Sequence, residues 1–131
     1  MLSRSELWDI ARTRLKDADV LVNSQRYHGA IYVCGYAVEL ALKAKICRTL
    51  KWKGYPSTRA EFQDFQTFRT HNLDVLLKLS GAEDKIKTGL FPEWSAVANW
   101  EPDVRYQPVG SATKEGAKLM IDSASRLLAA L

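Results

Sequence analysis

Arg26-Tyr-His-Gly-Ala-Ile-Tyr-Val-Cys-Gly-Tyr-Ala-Val-Glu-Leu-Ala-Leu-Lys-Ala-Lys-Ile-Cys-Arg48 is the stretch on which the fold turns. At about 100° per residue it winds into a helix that is apolar almost all round. One line of polar groups interrupts it: His28, Tyr32, Tyr36, Glu39 and Lys43 share roughly a quarter of the circumference. Ala30, Cys34, Ala37, Ala41 and Ala44 gather opposite, a strip small enough for another helix to approach closely. A helix lying on a protein surface would show charge over half its girth. The pattern therefore predicts the central helix of a bundle, from about Tyr27 to Leu50.

Working outward, Ser3-x-x-Glu6 is a capping box that opens a helix from about Ser5 to Asn23. Its inward stripe is Leu7, Ala11, Leu15, Ala18 and Val22. The break at Asn23-Ser24-Gln25 is short, so the two long helices should lie antiparallel. Downstream, Trp52 to Ser57 reads as a loop around Gly54 and Pro56. Phe62, Phe65 and Phe68 read as core plugs rather than a base-stacking platform. A short helix from about Asn72 to Leu79 ends before Gly81, and Pro92 suits the first position of another, to about Asn99. Pro102 and Pro108 bracket an irregular segment, and Thr113 caps a last helix with the stripe Ala117, Ile121, Ala124, Leu128 and Leu131. With no strand alternation or hairpin dipeptide visible, the expected fold is all-α. It is an up-and-down helical bundle of four to five helices with an irregular middle, residues 1–131 forming one domain.

A chain of 131 residues can bury a core without disulfides or metal. Cys34 and Cys47 stand about 20 Å apart along one helix, too far to pair, and neither has the spacing of a zinc ligand. They read as buried thiols of a reducing compartment. With no apolar leader and no uninterrupted membrane span, the expected address is cytoplasmic. No cofactor and no metal is expected. The net charge of +4 is modest, but Lys43, Lys45, Arg48, Lys51 and Lys53 cluster near the end of the central helix. They complement the helix dipole there, or form a nucleic-acid contact surface.

The order of these features resembles the HEPN domain family. Arg26-Tyr27-x-Gly-Ala-x-Tyr, continuing to Gly35-Tyr-Ala-Val-Glu39-x-Ala-Leu-Lys-Ala44, is similar to its second helix, and the opening helix fits as well. Thr70-His71-Asn72-Leu73-x-x-Leu76 and Arg105-Tyr106 are similar to two further motifs. The resemblance implies a dimeric bundle with a cleft for RNA or nucleotide. It also implies, for the family at large, partnership with a companion nucleotidyltransferase or a place in a toxin–antitoxin pair. Ribonuclease members carry an arginine followed, after four to six residues, by a histidine. Here Gly110, Ser111 and Ala112 occupy those positions after Arg105, so the pair is absent.

The candidate site follows. Arg105 and His71 are the only candidates for catalysis, brought together from separate parts of the chain: a fixed cation with a planar fork, and an imidazole. His71 either caps and packs the start of its helix or faces a cleft. Arg105 either binds phosphate or braces its own segment through Glu101 or Asp103. Glu39 and Lys43 form an i,i+4 ion pair in the favourable orientation. His28 sits in the first helical turn and is expected in solvent. His28, Tyr32, Tyr36, Glu39 and Lys43, joined by Arg69 and Tyr106, form the expected ligand or dimer cleft. Three readings stay open: a homodimeric module binding RNA, nucleotide or a nucleotidyltransferase; a divergent metal-independent ribonuclease; and a helical dimerisation scaffold without ligand.

Overall fold

A computed structural model describes residues 1–131. Helix α1 spans Arg4–Asn23 and α2 spans Tyr27–Leu50. The capping box forms as its spacing requires: the Glu6 amide donates to Ser3 Oγ at 3.2 Å, and the Ser3 amide donates to Glu6 Oε2 at 2.7 Å. The turn between the helices closes with Gln25 in the left-handed region, at φ 62°. Leu7, Ala11, Ala18 and Val22 are buried, while Leu15 is only half-buried.

The small strip of α2 is the inner face of the molecule. Ala30, Cys34, Ala37, Ala41 and Ala44 are all fully buried, and α2 packs on α1 and on the last helix, α6 (Lys114–Ala130). Close approach needs small side chains, and the strip supplies them. Thr113 caps α6 by accepting from the Gly116 amide at 3.0 Å. Its buried stripe is wider than expected, adding Met120, Ser123 and Leu127 to the predicted residues, with Leu131 half-buried.

The segment between α2 and α6 holds three short helices: α3 (Leu73–Ser80), α4 (Glu83–Gly89) and α5 (Phe91–Val97). Asn72 caps α3 through Val75, and Gly81, at φ 76°, ends it. The sequence does not announce α4. Its one buried side chain is Ile86 and it has no side-chain cap, so neither periodicity nor capping marks it. The helix count is thus six, and Pro92 stands second in α5, after Phe91. The irregular segment contains a 3₁₀ turn, Pro102–Tyr106.

The expected absence of strands needs a small correction. Strand β1 (Leu2–Ser3) pairs antiparallel with β2 (Gly54–Tyr55), setting Leu2 opposite Tyr55 and Ser3 opposite Gly54. Two-residue strands carry no alternation to read; the start of α1 and the end of α2 meet because the helices are antiparallel. Phe62 is buried, but Phe65 is 43% exposed, against the reading of all three phenylalanines as core plugs. Phe65, Phe68, Trp52 and Tyr55 instead make an edge-on aromatic cluster at this end of the bundle.

Candidate functional site

The polar line of α2 is met, residue by residue, by later segments of the same chain. His28 Nε2 accepts from the Ala112 amide at 3.1 Å and lies 3.3 Å from Ser111 Oγ. It is half-buried under the loop leading to α6, not free in solvent as expected. An acceptor at Nε2 is the unprotonated nitrogen, so this ring serves the loop as a neutral imidazole.

One turn on, Tyr32 OH accepts from the Arg105 guanidinium at 3.4 Å, and that guanidinium also lies 4.8 Å over the Tyr106 ring. The expected brace to Glu101 or Asp103 does not form. The guanidinium turns instead to the Tyr32 hydroxyl and to the face of Tyr106, which accepts a weakly hydrated planar cation well. The cation beside Tyr32 holds its phenol below the usual range, helped by Tyr36. Burial, with Tyr32 second, pushes Tyr36 up to about 12. The two rings meet edge to face at 5.2 Å.

Tyr36 in turn packs edge-on against Trp100 at 5.0 Å and His71 at 6.3 Å. Trp100 was invisible as a site residue from sequence. It seats its indole on Gly35, where an added Cβ would fall 2.0 Å from Trp100 Cε2. The signal that pointed to it was the glycine itself, since an isolated glycine within a helix marks a close approach.

Glu39 anchors the far end of the line. It is 2% exposed, a position a carboxylate tolerates only with partners. It has two: Lys43 Nζ donates to Oε2 at 3.0 Å, and His71 Nδ1 lies 2.7 Å from Oε1. Lys43 also sits 5.2 Å over the Tyr55 ring, and Tyr55 donates its hydroxyl to the Phe68 carbonyl at 2.6 Å. Burial raises the Tyr55 phenol, so it stays a neutral donor there. With Nδ1–H turned to Glu39, His71 keeps Nε2 free of protein partners, on a side chain that is 59% exposed. His71 precedes the cap of α3 and does not cap the helix itself; Thr70 and Asn72 make the local turn, Thr70 Oγ1 accepting from the Asn72 amide at 3.0 Å.

Beside this triad lies a cavity of about 460 Å³ lined by Lys43, Arg69, His71, Thr70, Ser57 and Tyr55 among others, with no carboxylate in its wall. Arg69 is exposed, lies 5.9 Å over the Phe62 ring, and has no ion pair. The site residues divide accordingly. Lys43, Arg69 and His71 converge on one cavity, held by Glu39 from beneath. Arg105 and Tyr106 do not line it, and join it only through Tyr32 and Tyr36. Arg105 and His71 are not in contact with each other.

Residues 5–60 match the HEPN domain. The HEPN match covers nearly all of α1, the whole of α2 and β2, and so includes the entire polar line. It ends before Arg69, His71, Trp100, Arg105 and Tyr106. No curated protein and no solved structure matches the chain. The HEPN segment associates the protein in general terms with nucleotide- or RNA-related function. No helix is long and apolar enough to cross a membrane.

Proposed function

We propose that this protein is a noncatalytic HEPN-type module that binds the phosphate of RNA or of a nucleotide in the cavity beside α2. The observation that carries this reading is the convergence of Lys43, Arg69 and His71 on a cavity wall without a carboxylate. Arg69 offers a planar fork to two phosphate oxygens, and Lys43, pinned by Glu39, offers a point charge at a fixed place. The apolar part of the wall, Leu40 and Phe62 among others, suits a base or ribose. The same reading extends to a homodimer, a companion nucleotidyltransferase and a toxin–antitoxin setting. Sedimentation of the pure protein and the identity of the neighbouring open reading frame test these.

The direct test is calorimetric titration with adenosine monophosphate, and with inorganic phosphate in parallel. Wild type should bind, and Arg69→Gln should weaken binding by about tenfold, the loss of one charge-assisted contact. Equal affinity of wild type and variant would remove the cavity from consideration.

The divergent ribonuclease reading keeps one observation in its favour. A buried carboxylate on His71 Nδ1 is the arrangement that orients an imidazole as a general base. Incubation with mixed RNA in chelator decides it. Cleavage lost in both Arg105→Ala and His71→Ala would establish the enzyme, whereas no cleavage by wild type removes it. Neither binding nor cleavage leaves a dimerisation scaffold.

A further inference from the structure

The basic residues near the end of α2 do not form one patch. Lys43 belongs to the polar line, while Lys45 and Arg48 project from the far side of the helix, roughly 140–160° away around its axis. There they meet Arg4, Trp8 and Arg12 of α1 across a groove of about 640 Å³, floored in part by Leu128 of α6. Its wall contains four cationic side chains and no acidic one. None of the protein's ion pairs includes Arg4, Arg12, Lys45 or Arg48. Cations at a protein surface are ordinarily interspersed with acids; here they crowd one another. Lys45 is held below its usual range by burial first, and then by Arg48 and Lys85.

We infer that this groove is a second anion-binding site, separate from the cavity beside Glu39, and that it takes the phosphodiester backbone of single-stranded nucleic acid. Length argues for a polyanion. Arg4 and Arg12 are two turns and more apart on α1, about 12 Å along its axis, so one phosphate cannot reach both. Width argues against a duplex, because the groove has the volume of a small-molecule pocket. Trp8 argues for a nucleic acid over an acidic peptide. Arg12 lies 5.2 Å over its ring, a layered cation and π-face on which a base stacks without sequence preference. A second copy of this chain is a poor occupant, since two-fold pairing through this face would set four cations against four.

The test uses a fluorescein-labelled oligouridylate and anisotropy, in an Arg69→Gln/His71→Gln background. Failure of the cavity reading then cannot be mistaken for failure of this one. Four phosphate contacts predict that log K falls with log salt at a slope of about −3, and Arg12→Gln/Lys45→Gln/Arg48→Gln should bring it to about −1. Affinity at low salt should fall at least tenfold in that variant. Arg12 and Arg48 are exposed, so a double variant of these two keeps the test open should the Lys45 change disturb folding. Unchanged affinity and slope in a folded variant would overturn the proposal. So would polyglutamate binding as tightly as the oligouridylate with the same dependence on these residues, which would make the groove an acidic-peptide site.

Discussion

Gly35→Ala tests the packing that holds the candidate site together. In an exposed helix interior this change stabilises by about 0.5–1 kcal/mol, because glycine loses more backbone freedom on folding. Here the new Cβ would lie 2.0–2.1 Å from Trp100 Cε2, Cδ2 and Nε1, where no real Cβ sits closer than 3.0 Å to such atoms. The indole must retreat by more than about 1 Å, in an interior packed as densely as a crystal. Overpacking of this kind costs about 1–3 kcal/mol. Full expulsion of the indole sets an upper bound: its burial of roughly 200 Å² is worth about 5 kcal/mol. The expected net loss is about 1–3 kcal/mol, read as a lowered urea midpoint with unchanged slope. Trp100→Ala supplies the control. It should cost about 3–5 kcal/mol by itself, and in its background Gly35→Ala should turn neutral or stabilising. A coupling near zero, or a stabilised single variant, would refute the close approach and with it the account of why Tyr36 stands where it does.

Other outcomes follow from the same geometry. Burial pushes the Cys34 thiol up to about 12 and raises that of Cys47, so neither should react with a thiol reagent at pH 8 in the native protein, and both should on unfolding. Rapid labelling of native protein would contradict their burial. Lys87, then Lys78, holds the Asp74 carboxyl below its ordinary value of 3.8. A depressed folded value means the contribution is complete above 3.8 and fades as pH falls through the lower folded value. Asp74→Asn should therefore flatten the acid limb of the stability profile below pH 3.8, and superimposable acid limbs would exclude the pairing. Lys51 closes α2 at φ 57°, a conformation that costs a side chain about 1–2 kcal/mol. Lys51→Gly should raise stability by about 0.5–1 kcal/mol, and a fall in the thermal midpoint would show that the lysine side chain contributes more than its backbone costs.

Much of the fold was legible because its signals are local. Ser3 and Glu6, Asn72 with Gly81, and Thr113 are capping residues whose hydrogen bonds reach only a few positions along the chain. Their meaning survives in the sequence. The all-round apolarity of Tyr27–Leu50 likewise marks a central helix, because no surface helix could hide so little charge. Helix α4 escaped because one buried isoleucine makes no period. The candidate site was legible only as a list. The i,i+4 pair of Glu39 and Lys43 is a property of one helix and was readable; His71 on the same carboxylate, from 32 residues away, was not. Arg105 shows the opposite failure. Its nearest acids in sequence were the expected partners, yet the 3₁₀ turn delivers it to Tyr32 and Tyr106.

By itself, then, the sequence determined that Arg26–Arg48 would lie at the centre of a helical bundle, with a small face inward and a polar line on another side. Periodicity and capping act over one or two turns, and one helix carries both. Only the tertiary structure decided what that polar line does. Loops and short helices from beyond Leu50 arrive on it in turn: Tyr55 under Lys43, His71 on Glu39, Trp100 against Tyr36, Arg105 on Tyr32, and the Ala112 amide on His28. It also divided the basic cluster, turning Lys43 towards one cavity and Lys45 with Arg48 towards the other groove. A helix places side chains around its own axis, but which of its faces meets which later segment depends on closing loops whose ends carry no mark of each other.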